Sequence, residues 1–206
     1  MGGRFILLIK QIATEMEDQR CRYSCISEEV IPFLCDLMES LNSRFRGEIV
    51  SVILFGSAAR GEFIKGKSDV DIIVICSTTD NNMKNKIKKF VGREILRLSK
   101  IYDMNFENTF HFHKVFPIGF ISRFVLCQPC IVLGKQELDK DFRVRILSKT
   151  IVRDGIVISG ENIIPEFEKI ELRYYDRVLK LIASIFVPLV KKFNTLGIFI
   201  RKTEVE

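Results

Sequence analysis

The chain has 206 residues, of which 47% are hydrophobic and 28% are charged. This mixture is typical of a folded globular protein and excludes disorder over most of the chain. Lysine and arginine total 32 against 26 acidic residues, and the resulting charge of +6 is compatible with an anionic ligand such as a nucleotide without requiring one. No segment reaches the roughly 18 apolar residues that span a bilayer, and the apolar run at residues 5–9 is too short for a secretory leader. We therefore expect a cytoplasmic protein with no membrane partner.

The first part of the chain is predicted to contain one amphipathic helix and two buried strands. Residues 1–26 show weak periodicity and are expected to form an irregular or helical arm. A good N-cap residue and apolar residues at three- and four-residue spacing predict a helix over Ser27–Arg44. Two β-branched, apolar runs predict buried strands over Ile49–Phe55 and Val70–Ile75, with a glycine-containing loop over Gly56–Gly66 between them.

The rest of the chain is predicted to alternate helices and strands. A helix over Asn82–Leu98 has apolar residues on one side and lysines on the other, which we interpret as a solvated face. Strict alternation predicts a strand over Tyr102–His113 with one polar face. A mixed apolar stretch follows, then a helix over Leu138–Arg153 and a short strand over Gly155–Ser159. Pro165 opens a last helix.

These elements together predict an α/β (α+β) fold, with a small mixed β-sheet and flanking helices. We expect an N-terminal arm over residues 1–26, a single domain over residues 27–160, and a C-terminal helical extension over residues 161–206 that packs on the core.

The turn between the first two predicted strands is suited to binding phosphate. A buried strand ends at Phe55, and Gly56 and Ser57 then turn the chain into a short helix. Exposed N–H groups at a helix start, together with a serine hydroxyl, form a site for phosphate oxygens, and a glycine lets the backbone approach a ligand closely. Arg60 adds a positive charge nearby.

A pair of carboxylates follows on the next strand. Asp69 and Asp71 are two residues apart, so on a strand they point to the same face. Two carboxylates in that position repel each other unless cations lie between them, and Mg²⁺ takes carboxylate oxygens together with substrate phosphates. Because two such ions can stabilise the attacking and leaving oxygens of an in-line displacement, the pair predicts metal-assisted chemistry on a phosphate.

The segment over residues 54–75 resembles the signature of the DNA polymerase β-like nucleotidyltransferase superfamily, in particular the minimal nucleotidyltransferases. The residues that match are Gly56, Ser57, Arg60, Gly61, Ser68, Asp69 and Asp71. A looser likeness extends to Glu161, because residues 151–161 resemble the helix and strand that close many minimal members.

The resemblance implies a fold, a reaction and a set of site residues. The implied fold is nucleotidyltransferase-like, and the implied reaction moves a nucleoside monophosphate from an NTP, with ATP favoured, to an acceptor hydroxyl or phosphate, with release of pyrophosphate. Asp69 and Asp71 are implied to hold two Mg²⁺ ions together with a third carboxylate on a neighbouring strand. The residues assigned to nucleotide binding are Gly56, Ser57, Arg60 and Ser68.

The third carboxylate lies where the chain departs from the family's pattern. Asn105 stands where the resemblance leads us to expect aspartate, and Asp103 and Glu107 share the polar face of the predicted strand. Glu107 is favoured because it lies inside that strand, whereas Asp103 is expected at its edge. If neither carboxylate reaches the site, the protein binds nucleotide without efficient transfer. We interpret His111 and His113, on the same face, as exposed strand residues, with zinc binding or contact with an anionic substrate as alternatives.

The acceptor and the partners stay open at this point. The resemblance allows a protein side chain, a small molecule such as an aminoglycoside, or an RNA 3′ end as acceptor. The helices before and after the core are expected to form an acceptor cleft or a homodimer surface, and the minimal members also imply a helical protein partner. The rival hypothesis is a catalytically weak nucleotide-binding module of the same fold that acts as an antitoxin or a regulatory subunit.

The six cysteines are interpreted as reduced thiols. Cys127 and Cys130 form a C-x-x-C pair, but the pair lacks the clear strand-to-helix setting of a redox motif. Its distance in sequence from Cys21 and Cys25 argues against a four-cysteine zinc site. A thiol oxidoreductase is therefore a distant alternative.

Overall fold

A computed structural model describes residues 25–65, 68, 70–104, 130–178 and 181. The α-helices are α1 (Ile31–Arg44), α2 (Gly56–Ala59), α3 (Asn81–Ile101), α4 (Phe142–Asp154) and α5 (Ile164–Glu168). The strands are β1 (Ile49–Phe55), β2 (Asp71–Cys76), β3 (Cys130–Gly134) and β4 (Ile156–Gly160). Short 3-10 helices cover Glu28–Val30 and Lys135–Glu137. None of the helices within these ranges has the length and the apolar character needed to span a bilayer.

The strands form one mixed sheet in the order β3-β2-β1-β4. β1 is antiparallel to both of its neighbours, whereas β2 and β3 are parallel. A parallel pair needs a crossover connection, and α3 lies in that connection. The predicted mixed α/β architecture with flanking helices is confirmed. β3 is an additional strand, since the sequence indicated only a mixed apolar stretch there.

Helices cover both faces of this sheet, and the alternation of the strands supplies side chains to each face. Val52 and Leu54 of β1 pack in one cluster with the buried sides of α1 and α3. Ile53 and Phe55 pack in a second cluster with buried residues of α4 and α5. Because neighbours along a strand point to opposite faces, the continuous apolar run of β1 fills two cores at once.

The first predicted helix begins later than expected. Glu28–Val30 is a 3-10 turn, and Ser27 does not cap it with its side chain. Instead, the Ser27 hydroxyl accepts a hydrogen bond from the Phe63 N–H at 3.2 Å, and the Ser27 N–H donates to the Ala58 carbonyl at 3.1 Å. The serine therefore ties the chain that enters α1 to the segment that follows β1.

The prediction of a strand beginning at Tyr102 is wrong at its start. The Tyr102 N–H donates to the Leu98 carbonyl at 2.9 Å, as the cap of α3, and Asp103 has a positive φ of 51°. The Tyr102 hydroxyl donates to Asp36 Oδ2 at 2.6 Å, which fixes the end of α3 against α1. The remainder of that predicted strand, residues 105–113, lies outside the described residues.

The helix predicted to open at Pro165 is interrupted, because α5 ends at Glu168 and residues 174–178 form a separate helical segment. Asp176, which is 1% exposed, lies near the start of the second segment. Its carboxylate accepts two hydrogen bonds from the Arg145 guanidinium on α4 and one from the Arg173 N–H. An acidic acceptor in this position caps the second segment, so a continuous helix would lose the cap and the ion pair. The division of the chain at residues 26 and 160 stays a prediction.

Candidate active site

Strand pairing brings the Gly-Ser turn and Asp71 to one edge of the sheet. Phe55, the last residue of β1, is the register partner of Asp71, the first residue of β2. Because β1 and β2 are antiparallel, the end of the first strand and the start of the second meet at the same edge. The turn that follows Phe55 therefore lies beside the Asp71 carboxylate without any contribution from the intervening loop.

Gly56 is the point of closest approach between the two. Its φ is +73°, and a Cβ placed on it would clash with Asp71 Oδ2 and lie 3.4 Å from Asp71 Cγ. Both the backbone conformation and the space thus require a glycine at this position. The half-buried Asp71 carboxylate occupies the place that any other side chain would take.

The short helix α2 is anchored on its inner side and closed by its own backbone. Ala58 and Ala59 are 0% and 3% exposed, whereas Gly56 and Ser57 are half-buried at the surface. The Ser57 carbonyl accepts hydrogen bonds from the N–H groups of Arg60 at 3.2 Å and of Glu62 at 2.9 Å. The turn is therefore a defined structure that presents Ser57 at the sheet edge.

The Arg60 guanidinium is bound to two carboxylates. Its Nη1 donates to Asp154 Oδ2 at 2.6 Å, and its Nε donates to Glu62 Oε2 at 2.8 Å. Arg153 also donates to Asp154, and the hydrogen bonds from Arg153, with a smaller share from Arg60, hold the pKa of that carboxyl below its ordinary value even though burial opposes the shift. The sequence gives no local indication of the Arg60–Asp154 contact, because the partners are 94 positions apart.

Ser68 closes the loop that precedes β2. Its hydroxyl accepts a hydrogen bond from the Ile64 N–H at 3.0 Å, and its own N–H donates to the Ile64 carbonyl at 2.8 Å. The next residue, Asp69, lies outside the described residues, and Val70 after it is 2% exposed. The nucleotide-binding role assigned to Ser68 and the metal-binding role assigned to Asp69 stay predictions.

Of the two candidates for the third carboxylate, Asp103 lies within the described residues and Glu107 does not. Asp103 is in a turn at the end of α3, not on a strand, and its side chain is 89% exposed and 3.4 Å from Lys65 Nζ. The premise that placed Asp103 at a strand edge is therefore wrong. Glu107 lies outside the described residues, as do Asn105, His111 and His113.

A cavity of about 280 Å³ lies beside the loop that leads to β2. The side chains that line it come from the start of the first helical turn, from this loop and from the end of α3: Glu29, Phe63, Lys65, Tyr102 and Met104. The loop and the end of α3 thus enclose a space with aromatic walls and charges of both signs.

Two of the described cysteines, Cys76 and Cys130, are buried. Cys130 begins β3 and is buried, and burial raises the pKa of its thiol. Burial also raises the pKa of Cys76 to about 11. Thiolate is therefore disfavoured at both positions. Within the described ranges, no group of three His, Cys, Asp or Glu residues is arranged to hold a metal ion; Cys21 and Cys127 fall outside those ranges.

Residues 34–127 match the family model of the nucleotidyltransferase domain. Over these residues the chain is similar to nucleotidyltransferase domains. The matched range includes most of α1 and all of β1, the Gly56–Ser57 turn, β2 and α3, so it covers the edge at which the turn meets Asp71. The superfamily predicted from the sequence is confirmed.

Two individual proteins resemble parts of this chain. A Methanocaldococcus jannaschii protein with the provisional name of a protein adenylyltransferase is 42% identical over 40 residues, which are 19% of this chain and 39% of that protein. The match thus spans less than half of the relative. A crystal structure of a mutant of the toxin–antitoxin MntA–HpeT aligns with 78% of this chain and 90% of its own, at 14% identity and a TM-score of 0.33. That likeness is too distant to bear on function.

Proposed function

We propose that this chain moves a nucleoside monophosphate from an NTP, with ATP favoured, to an acceptor and releases pyrophosphate. The observation that supports the proposal is the position of the Asp71 carboxylate directly against Gly56, within the residues that match the nucleotidyltransferase domain. A turn suited to phosphate and an acidic residue suited to a metal ion share one sheet edge. The family match supports a transferase of the nucleotidyltransferase type.

The chemistry of this edge fits Mg²⁺. Asp71 offers carboxylate oxygens, which Mg²⁺ prefers, and the missing Cβ of Gly56 leaves room for Asp71 Oδ2 beside the turn. We assign Asp69, Asp71 and Glu107 as the residues that would hold two ions. When bound, the ions would neutralise the triphosphate and lower the pKa of the acceptor hydroxyl.

The remaining groups of the edge orient the nucleotide. We assign the triphosphate to the Gly56–Ser57 turn, where backbone N–H groups and the Ser57 hydroxyl donate to phosphate oxygens. Arg60 and Ser68 are assigned supporting roles, Arg60 as a positive charge beside the turn and Ser68 through the loop that carries Asp69. Holding the α-phosphorus in line with the acceptor oxygen supplies most of the rate, because phosphoryl-type transfer depends mainly on positioning and charge neutralisation.

A protein side chain is the acceptor that we favour. The M. jannaschii relative carries the name of a protein adenylyltransferase, and the similarity covers 40 residues. A small molecule and an RNA 3′ end are the alternatives, and each is distinguishable by the species that receives the label.

The test is transfer from α-³²P-labelled ATP, GTP, CTP and UTP with Mg²⁺, measured both as pyrophosphate release and as label on the protein itself, on added proteins, on an aminoglycoside and on RNA. We expect Asp71→Asn to reduce pyrophosphate release by at least about a hundredfold while the melting temperature is retained, because a preorganised charge at the reacting centre is lost. Unchanged release in Asp71→Asn would refute the proposal.

Two further variants separate the candidates for the third carboxylate. Asp103→Asn removes an exposed carboxylate in a surface turn and serves as the matched control; we expect it to leave transfer unchanged. Glu107→Gln is expected to lose transfer. The reverse pattern would assign the role to Asp103. Tight binding of Mg·ATP without transfer to any acceptor would favour the nucleotide-binding module instead.

A further inference from the structure

Asp154 is a buried carboxylate that no part of the proposed chemistry uses. It is the last residue of α4, and its side chain is 3% exposed. Arg153 donates to both of its oxygens, at 2.6 Å and 2.9 Å, and Arg60 donates to Oδ2 at 2.6 Å. One bidentate arginine already balances the charge of a carboxylate, and the oxygens can still accept further bonds. The bond from Arg60 therefore adds a link between α2 and α4 beyond the neutralisation of Asp154.

That additional bond reaches the Gly-Ser turn. Arg60 caps α2, and its N–H donates to the carbonyls of Gly56 at 3.3 Å and Ser57 at 3.2 Å. Its guanidinium is held from the other side by Glu62, at 2.7 Å from Nη2 and 2.8 Å from Nε. The side chain of Arg60 is thus fixed at both edges, and its backbone is fixed to the turn.

The turn needs an external anchor because α2 is short. Four residues form little more than one helical turn, and such a piece has no stability of its own. Ala58 and Ala59 bury small side chains that fix its depth in the core. The contact from Arg60 to Asp154 fixes its rotation relative to α4, because a planar guanidinium bound on two edges has one orientation.

We propose that Asp154 is a positioning residue of the active site, which holds Arg60 and through it the Gly56–Ser57 turn in the orientation that sets the turn against Asp71. This inference rests on the proposed function, since it concerns the geometry that receives the nucleotide. Asp154 itself touches neither the nucleotide nor the metal ions.

The same helix provides a matched control. Asp176 forms a buried ion pair with Arg145, which lies near the start of α4, about 14 Å along the helix from Asp154 at 1.5 Å per residue. Asp176→Asn removes a buried carboxylate from an arginine of α4, as Asp154→Asn does, but it leaves α2 untouched. Arg153→Gln is a second control, because it removes the exposed partner of Asp154 and keeps the bond to Arg60.

The experiment measures the dissociation constant of the full-length chain for a Mg²⁺-bound, non-hydrolysable ATP analogue by calorimetry, together with the melting temperature. Asp154→Asn and Arg60→Met should each weaken binding by about tenfold, and the double variant should be no weaker than either single variant, because both remove the same contact. Asp176→Asn should lower the melting temperature at least as much as Asp154→Asn and change the dissociation constant by less than about twofold. Arg153→Gln should also stay within about twofold.

Three outcomes would overturn the inference: wild-type affinity in Asp154→Asn, additive losses in the double variant, or an equal loss of affinity in Asp176→Asn. Should Asp154→Asn fail to fold, Asp154→Glu, which keeps the charge and moves the carboxylate, takes its place in the cycle. If the wild-type chain does not bind the Mg²⁺–ATP analogue, the proposed function fails and this inference falls with it. If the wild type binds and the double-mutant cycle of Asp154 and Arg60 shows no coupling in the dissociation constant, only the positioning role fails.

Discussion

Replacement of Gly56 by alanine tests the geometry on which the active site depends. The residue has a φ of +73°, a conformation that costs an L-residue about 1–2 kcal/mol. The new Cβ would also clash with Asp71 Oδ2, and it would lie 3.4 Å from Asp71 Cγ. Because the backbone of Asp71 is fixed by its pairing with Phe55, the carboxylate has to rotate away from the turn.

Both costs lower the stability of the fold, and the displacement of Asp71 also weakens nucleotide binding. The backbone cost and an off-rotamer carboxylate of about 0.5–1.5 kcal/mol together lower the free energy of unfolding by about 1.5–3.5 kcal/mol, which leaves a typical domain folded. The rotation of Asp71 alone weakens Mg·ATP binding, and 0.5–1.5 kcal/mol corresponds to about two- to tenfold. Stability and affinity should therefore both fall in Gly56→Ala.

Gly47→Ala is the control for the backbone cost. Gly47 has a φ of +85°, and nothing lies within 4 Å of the position that its Cβ would take. We expect Gly47→Ala to lose about 1–2 kcal/mol of stability in urea unfolding and to bind the Mg²⁺–ATP analogue as the wild type does. Equal affinities in Gly56→Ala and Gly47→Ala would refute the close approach of Asp71 to the turn.

Three further outcomes follow from the packing and the charges. Hydrogen bonds from Arg145 are the main cause that holds the pKa of Asp176 below its ordinary value of 3.8. The ionised Asp176 therefore stabilises the fold above that pH, and this stabilisation is lost as the pH falls through the lowered pKa. Thermal scans should show Asp176→Asn less stable than the wild type at pH 7, with a difference that shrinks as the pH falls below 3.8. Leu37→Ala, at a site 0% exposed in α1, should lower the free energy of unfolding by about 2–5 kcal/mol in denaturant titration, and a loss under about 1 kcal/mol would contradict the packing of α1. Maleimide labelling followed by peptide mass spectrometry should modify the exposed Cys25 in the native protein and leave the buried Cys130 unmodified until denaturant is added, and rapid native labelling of Cys130 would contradict its burial.

Local patterns predicted the strands of the site correctly because each of them has a clear cue. The bounds of β1, Ile49–Phe55, agree with the sequence, since its apolar residues are framed by Gly47 and Gly56. The close approach of Gly56 to Asp71 follows from the antiparallel pairing of two strands that are adjacent in the sequence. β3 was missed because five apolar residues fit a buried strand or a piece of a helix equally well.

The contacts that complete the site have no local cue. Tyr102 was assigned to a strand because residues 102–113 alternate, whereas in the structure it caps α3 and its hydroxyl donates to Asp36 on α1. Arg60 was expected to face the nucleotide, and its pairing with Asp154 joins residues 94 positions apart. Such partners are chosen by the packing of helices on the sheet, which a single sequence does not reveal.

Because the pairing of β1 and β2 is antiparallel, the distance between the Gly56–Ser57 turn and Asp71 does not depend on the length of the chain that joins the two strands. The ladder sets the register of Phe55 and Asp71, so the chain leaves the sheet after Phe55 and returns to it at Asp71 at the same end. Extra residues in the connection between β1 and β2 would extend away from the sheet, and closing a longer loop costs little additional free energy. Such an arrangement lets an insertion bring new side chains to a substrate while the two halves of the site keep their distance.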